Sequence, residues 1–102
     1  MKFKPCLELK DINGEVFKKD KDNTAVLADF AMNALLADVQ GETVPPAKKF
    51  HYYNLASRIK HAVSESAEEI DLPSEDIALI KERIGKVYNT GIVGPAWQAI
   101  EG

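Results

Sequence analysis

The chain has 102 residues, of which 45% are hydrophobic and 28% are charged. This composition excludes an intrinsically disordered chain, and the length predicts a single domain over residues 1–102. The net charge of −3 is a poor basis for nonspecific binding to nucleic acid, which depends on neutralising phosphates. No apolar run is long enough to span a membrane and the N-terminus shows no secretory signal, so we expect a cytoplasmic protein.

Residues 1–18 are predicted to form a β-hairpin. Apolar and polar residues alternate before Asn13-Gly14, a pair that favours two-residue type I′ turns because both positions need positive φ. With this turn, Ile12 would face Glu15 across the hairpin. A lone hairpin is only marginally stable in water, so we expect it to pack on helices or on another chain.

A first helix is predicted over residues 24–39, with Asn23 or Thr24 as its N-cap. Its apolar residues cover almost the whole circumference: Val26, Leu27, Phe30, Ala31, Met32, Ala34, Leu35, Leu36 and Val39. Such a helix is buried on several sides. Two interpretations follow, namely a homo-oligomer that covers the surplus apolar surface, or a central helix wrapped by the other elements.

A second helix is predicted over residues 47–64, where one side carries a regular apolar stripe. The other side forms a candidate partner surface of aromatic and basic residues: Lys49, Phe50, Tyr53, Lys60 and His61. This surface suits a protein partner, since aromatic rings supply contact area and lysines steer association. Alternatively, Phe50 and Tyr53 pack beneath the hairpin or the C-terminal segment. A nucleic-acid partner would stack bases on Tyr53 and place phosphates at Lys49 and Lys60.

Charge is distributed unevenly around this helix. Residues 43–64 hold four basic residues and no acidic one, whereas residues 65–76 hold six acidic residues and no basic one. The two segments either neutralise each other, within the fold or between subunits, or leave a basic face for an acidic partner.

A third helix is predicted over residues 74–89, ended by Gly91 in a left-handed cap. A short helix over residues 93–101 follows, started near Pro95, with Trp97 anchoring it to the core. The predicted fold class is therefore α+β and mostly helical, with an N-terminal β-hairpin followed by three helices and a short C-terminal helix.

Catalytic patterns are not evident in the sequence. It contains neither a glycine-rich phosphate loop nor a nucleophile elbow. Cys6 with His51 or His61 is the one available thiol–imidazole pair, but Cys6 lies in a predicted strand and is interpreted as a small buried apolar side chain. We therefore expect a protein that is not an enzyme, with no catalytic, cofactor-binding or metal-binding residues.

Five stretches occur in a familiar order: Leu9–Val16, Ala34–Leu36, Tyr53–Ala56, Asp76–Ile84 and Val93–Gly102. In this order the chain resembles a group of small uncharacterised proteins of tailed bacteriophages and prophages. The resemblance implies a non-enzymatic accessory protein in a bacterial host cell, acting on a phage or host protein, for example in particle assembly. A small nucleic-acid-binding or regulatory protein that uses the basic face of the second helix is the alternative; we expect no membrane partner.

Overall fold

A computed structural model describes residues 1–102, of which 54% are helical. The α+β, mostly helical fold class is confirmed. The elements follow in the order β1 (Lys2–Phe3), α1 (Leu27–Leu36), α2 (Pro46–Ser64), β2 (Ile70–Asp71), α3 (Ser74–Val87) and α4 (Thr90–Glu101). None of the four helices combines the length and apolar character needed to cross a membrane.

Helix α1 lies at the centre of the molecule and packs against α2, α3 and α4. Three alanines, Ala28, Ala31 and Ala34, are completely buried along it, and their small side chains let neighbouring helices approach closely. The structure therefore shows the wrapped central helix, and most of the apolar circumference is covered within one chain. Self-association stays a prediction.

The predicted start of the first helix at residue 24 is wrong. Thr24 and Val26 are extended and form antiparallel bridges to Lys18 and Glu8. Val26 is instead the N-cap, and its N–H donates to the Asp29 carboxylate at 2.9 Å. Pairing with the N-terminal segment therefore overrides helix propensity at these residues.

The C-terminal end of α1 is fixed by a buried arginine of α3. Arg83 is only 2% exposed, and its guanidinium donates hydrogen bonds to the carbonyls of Ala34 at 3.2 Å and Ala37 at 2.9 Å. A third guanidinium nitrogen pairs with the carboxylate of Glu42. These contacts satisfy carbonyls that a helix end leaves without partners, and the helix ends at Leu36 rather than at residue 39.

The turn of the predicted hairpin closes over three residues, 12–14, rather than two. The N–H of Asp11 donates to the carbonyl of Glu15 at 2.8 Å, so the predicted register is wrong by one residue. Within the loop only Gly14 has positive φ, at +82°, whereas a type I′ turn needs it at both central positions. The Asp11 carboxylate holds the loop by accepting two backbone N–H groups.

The first strand of the molecule pairs with a segment distant in sequence. Phe3 of β1 lies opposite Ile70 of β2 in an antiparallel pair, and β2 belongs to the acidic segment 65–76. The terminal amino group of Met1 donates to the carbonyl of Leu72 at 2.9 Å, which extends this contact. The N-terminus is thereby attached to the segment between α2 and α3.

The two C-terminal helices, α3 and α4, pack against each other, and α3 buries Ile77, Ile80 and Ile84 at helical spacing. Helix α4 begins at Thr90, earlier than predicted, because Gly91 lies inside it rather than in a left-handed cap. The Trp97 indole N–H donates to the Lys81 carbonyl at 3.0 Å. Trp97 thus contacts α3, but it is 36% exposed and is not the predicted anchor in the core, where Ala96 and Ile100 of α4 are buried instead.

Candidate functional site

The aromatic residues of the candidate partner surface are exposed. Phe50 is 67% exposed and Tyr53 is 59% exposed, so the interpretation that they pack beneath the hairpin or the C-terminal segment is wrong. Lys49, Lys60 and His61 are exposed as well. All five predicted residues therefore lie on the surface of α2.

Three of these residues meet the central helix in a groove. Tyr53, Lys60 and His61 of α2 line, together with Met32 and Leu36 of α1, a depression of about 450 Å³. We call this depression the α1–α2 groove. Leu36 is 58% exposed although it belongs to the central helix. The groove thus combines apolar surface with two groups that carry or can gain positive charge.

Lys49 lines a second, smaller depression of about 120 Å³. Leu36 lines both this depression and the α1–α2 groove. This second depression also contains the buried Arg83 and one carboxylate, Asp38. Phe50 lines neither depression, so the structure separates it from the other four predicted residues.

Pairing between the basic and acidic segments involves the histidines rather than the lysines. His51 Nε2 lies 2.9 Å from Asp76 Oδ1, and His61 Nε2 lies 3.2 Å from Glu65 Oε1. Three lysines of α2 have no carboxylate within ion-pair distance: Lys48, Lys49 and Lys60. Neutralisation within the fold is therefore partial, and these cations stay free.

The acidic segment is engaged from another direction. Lys2 Nζ lies 3.0 Å from Asp71 and 3.9 Å from Glu69. The hydrogen bond from Lys2, followed by its positive charge, lowers the pKa of Asp71 below 3.8. Arg58 of α2 donates to the Asp71 carbonyl at 2.8 Å and not to its carboxylate. The cation that pairs with the Asp71 carboxylate therefore comes from Lys2, near the N-terminus, and not from α2.

Cys6 departs from its prediction. Its thiol is free and its side chain exposed, because the chain turns at Pro5-Cys6 and the N–H of Leu7 donates to the Lys4 carbonyl at 3.3 Å. The neighbouring Pro5 takes the buried position. The interpretation of Cys6 as a buried apolar side chain is wrong. No group of three or more histidine, cysteine or carboxylate side chains is placed to hold a metal ion.

A larger depression than the groove lies elsewhere, between the 12–14 loop and α4. Its volume is about 780 Å³, and it is bordered by Trp97 and by Ile12, which is 98% exposed. Its lining mixes the unpaired Lys10 with two carboxylates that already have partners: Asp11 accepts two backbone N–H groups, and Glu101 pairs with Lys81. We therefore favour the α1–α2 groove, whose lining contains a free lysine and no carboxylate, as the candidate site.

Met32 and Leu36 were missed as site residues by sequence reasoning. Both belong to an apolar helix, so the sequence favours burial for them. The sequence signal for this surface was the charge of α2. A helix without acidic residues, next to the mostly covered helix α1, indicates where the surface of the molecule stays exposed. Which residues of α1 reach that surface depends on how the helices cross.

No protein family model matches the chain, and no curated protein or solved structure matches it. The resemblance to small phage proteins therefore stays a prediction. The functional interpretation depends on the side chains of the α1–α2 groove.

Proposed function

We propose that this protein acts by binding another protein through the α1–α2 groove and catalyses no reaction. The observation that carries this proposal is the exposure of Leu36 and Tyr53 next to Lys60, a cation without a partner in the chain. Apolar and aromatic side chains gain free energy when a partner removes them from water. The free lysines guide the approach of an oppositely charged surface.

The groove suits a protein better than a nucleic acid. Met32 and Leu36 offer apolar surface that a phosphate backbone does not use. The chain carries a net charge of −3, so the long-range field of the whole molecule repels polyanions. Binding to nucleic acid is therefore an outcome that the experiment below must distinguish. If the chain has the predicted phage origin, the partner is a phage or host protein, for example one used in particle assembly.

Photo-crosslinking in the cells that naturally produce the chain tests this proposal. A photoreactive phenylalanine derivative replaces Leu36 in one variant and Ile12 in a control, because Ile12 is even more exposed but lies outside the groove. We expect a discrete adduct from position 36 that resists nuclease and is destroyed by protease, and none of comparable yield from position 12. A nuclease-sensitive adduct would favour the nucleic-acid alternative. Equal yields at both positions would contradict the groove as the binding site.

A further inference from the structure

The shape of the α1–α2 groove matches a helix lying along it. The groove follows α2 from Tyr53 to Ser64, which corresponds to about 16 Å of helix axis, or about three turns. Its other wall comes from Met32 and Leu36, which are four residues apart and so lie on one side of α1. Amphipathic helices commonly bind such grooves between two helices, with an apolar face directed inward.

The side chains of the groove leave room for large apolar residues of a partner. Between Tyr53 and Lys60 the lining side chains are small, namely Ala56 and Ser57. Farther along, the hydroxyl of Ser64 is already used, since it donates to the Lys60 carbonyl at 3.1 Å. The groove therefore offers apolar surface between its aromatic and cationic walls, with few polar groups that a partner must satisfy.

The charge around the groove selects an acidic partner. The lining contains Lys60 and His61 and no carboxylate, and Lys49 lines the second depression, which shares Leu36 with the groove. Helix α2 has no acidic residue along its entire length. Two carboxylates need to be considered: Glu65, which is paired with His61, and Asp38, which lines the second depression and not the groove. Positive charge without a carboxylate partner therefore lies next to the apolar surface of the groove.

We infer that the occupant of the α1–α2 groove is an acidic amphipathic helix of a partner protein. This inference rests on the proposed function and adds the chemistry of the partner. Its apolar residues, spaced three and four apart, contact Leu36 and Tyr53, and its carboxylates pair with Lys60 and Lys49. A second copy of the chain fits less well, because four of the six carboxylates of its acidic segment already have partners, namely Glu65, Glu69, Asp71 and Asp76.

Selection from an unbiased peptide library tests the inference. Random peptides of about 20 residues, long enough to form a helix, are displayed and selected on the intact chain at about 50 mM NaCl. The affinities of the enriched peptides are then measured for the native chain and for four variants. Two variants change groove residues, and each is compared with a control variant outside the groove. Tyr53→Ala is matched by Phe50→Ala, an exposed aromatic of the same helix outside the groove, and Lys60→Glu is matched by Lys21→Glu, an exposed lysine without an ion pair.

We expect enriched peptides to combine Asp or Glu with apolar residues at helical spacing. Their binding should weaken about tenfold with Tyr53→Ala and about fivefold with Lys60→Glu, and less than about twofold with either control. Raising NaCl to about 300 mM should weaken binding of the native chain and hardly affect the Lys60→Glu variant.

Two other results would overturn the inference, with different consequences. Neutral or basic peptides that still lose affinity with Tyr53→Ala would refute the acidic helix and leave the groove as a protein-binding site. No enrichment, or enriched peptides indifferent to both groove variants, would refute the inference and count against the proposed function. Urea unfolding of each variant separates a loss of binding from a loss of folding.

Discussion

Two positively charged regions of this molecule differ in how their charge is accommodated. At the junction of α1 and α3, the Arg83 cluster consists of Arg83, Glu42 and Lys86, and Glu42 accepts a bond from each cation. The Arg83 guanidinium also lies 5.2 Å from the ring of Tyr52. In the α1–α2 groove, Lys60 is exposed and has no carboxylate partner. The positive charge of the Arg83 cluster is paired within the fold, whereas the charge of Lys60 in the groove is available to a binding partner.

This difference distinguishes charge that stabilises the fold from charge that is available for binding. A buried cation is tolerated only when its hydrogen-bonding groups are satisfied, and every buried side-chain nitrogen and oxygen of this chain has a partner. An exposed lysine without a partner contributes little to folding, since water solvates it well. Substitutions in the Arg83 cluster should therefore change stability, and substitutions in the groove should change binding.

Arg83→Leu should have the largest effect. It leaves the carbonyls of Ala34 and Ala37 without the guanidinium and leaves Glu42 with Lys86 as its one cation, so we expect a loss of about 4 kcal/mol in the free energy of unfolding. Arg58→Leu is the matched control, because the exposed Arg58 makes a single hydrogen bond and its loss should cost about 1 kcal/mol or less. Urea unfolding measures both. Similar losses for the two variants would show that the cluster does not hold the end of α1.

Leu35→Ala should have the next largest effect on stability. It allows a buried residue of α1 to be compared with the neighbouring residue that faces the groove. Leu35 is buried, and its truncation leaves a cavity that costs about 3 kcal/mol. The neighbouring Leu36 faces the groove, so Leu36→Ala should cost less than about 1 kcal/mol. The same unfolding measurement compares the two variants. An equal cost at both positions would mean that Leu36 is not a free surface residue.

Acid should weaken the Arg83 cluster. Hydrogen bonds from Lys86 and then Arg83 lower the pKa of Glu42 below 4.5, its ordinary value. Because the folded pKa is the lower one, the contribution of Glu42 is complete above about pH 4.5 and is lost as pH falls through the folded pKa. Glu42→Gln should therefore reduce the decline of the urea midpoint between neutral and acidic pH, without abolishing it, since Asp20 and Asp71 also have lowered pKa values. Glu68→Gln, at an exposed residue without an ion pair, should leave the decline unchanged. A decline of the native size in Glu42→Gln would argue against this role.

Lys60→Glu should have the smallest effect on stability. The lysine has no ion-pair partner in the chain, so the urea midpoint should stay within error of the native value. Circular dichroism during the same titration verifies that α2 is intact. A marked destabilisation would show that Lys60 already has a structural role and would remove it from the binding surface.

The sequence predicted most of the helical architecture because it depends on local periodicity. The buried isoleucines of α3 repeat at helical spacing, and α2 begins at Pro46 and ends at Ser64, within one residue of the prediction. The start of α1 was predicted wrongly because Thr24 and Val26 form bridges to Lys18 and Glu8, and Glu8 is distant in sequence from Val26. The pairing of Phe3 with Ile70 was missed for the same reason, since no local pattern specifies a partner so distant in sequence.

The candidate site was predictable on one of its two sides. The residue types of α2 identified Tyr53, Lys60 and His61, whose exposure follows from their place opposite the apolar stripe. The sequence did not indicate that Phe50 would lie outside the groove or that Leu36 would line it. Both facts depend on the crossing of α1 and α2 and on the end of α1 at Leu36, which the distant Arg83 fixes.

The central claim is that the unpartnered charge of the α1–α2 groove serves binding to a protein. The most direct measurement is the yield of protein adduct from a photoreactive residue at position 36, in the native background and with Lys60→Glu or Lys21→Glu added. A drop of about fivefold with Lys60→Glu, and none with Lys21→Glu, is the predicted result. Equal yields in all three proteins, or equal drops with both charge reversals, would contradict it.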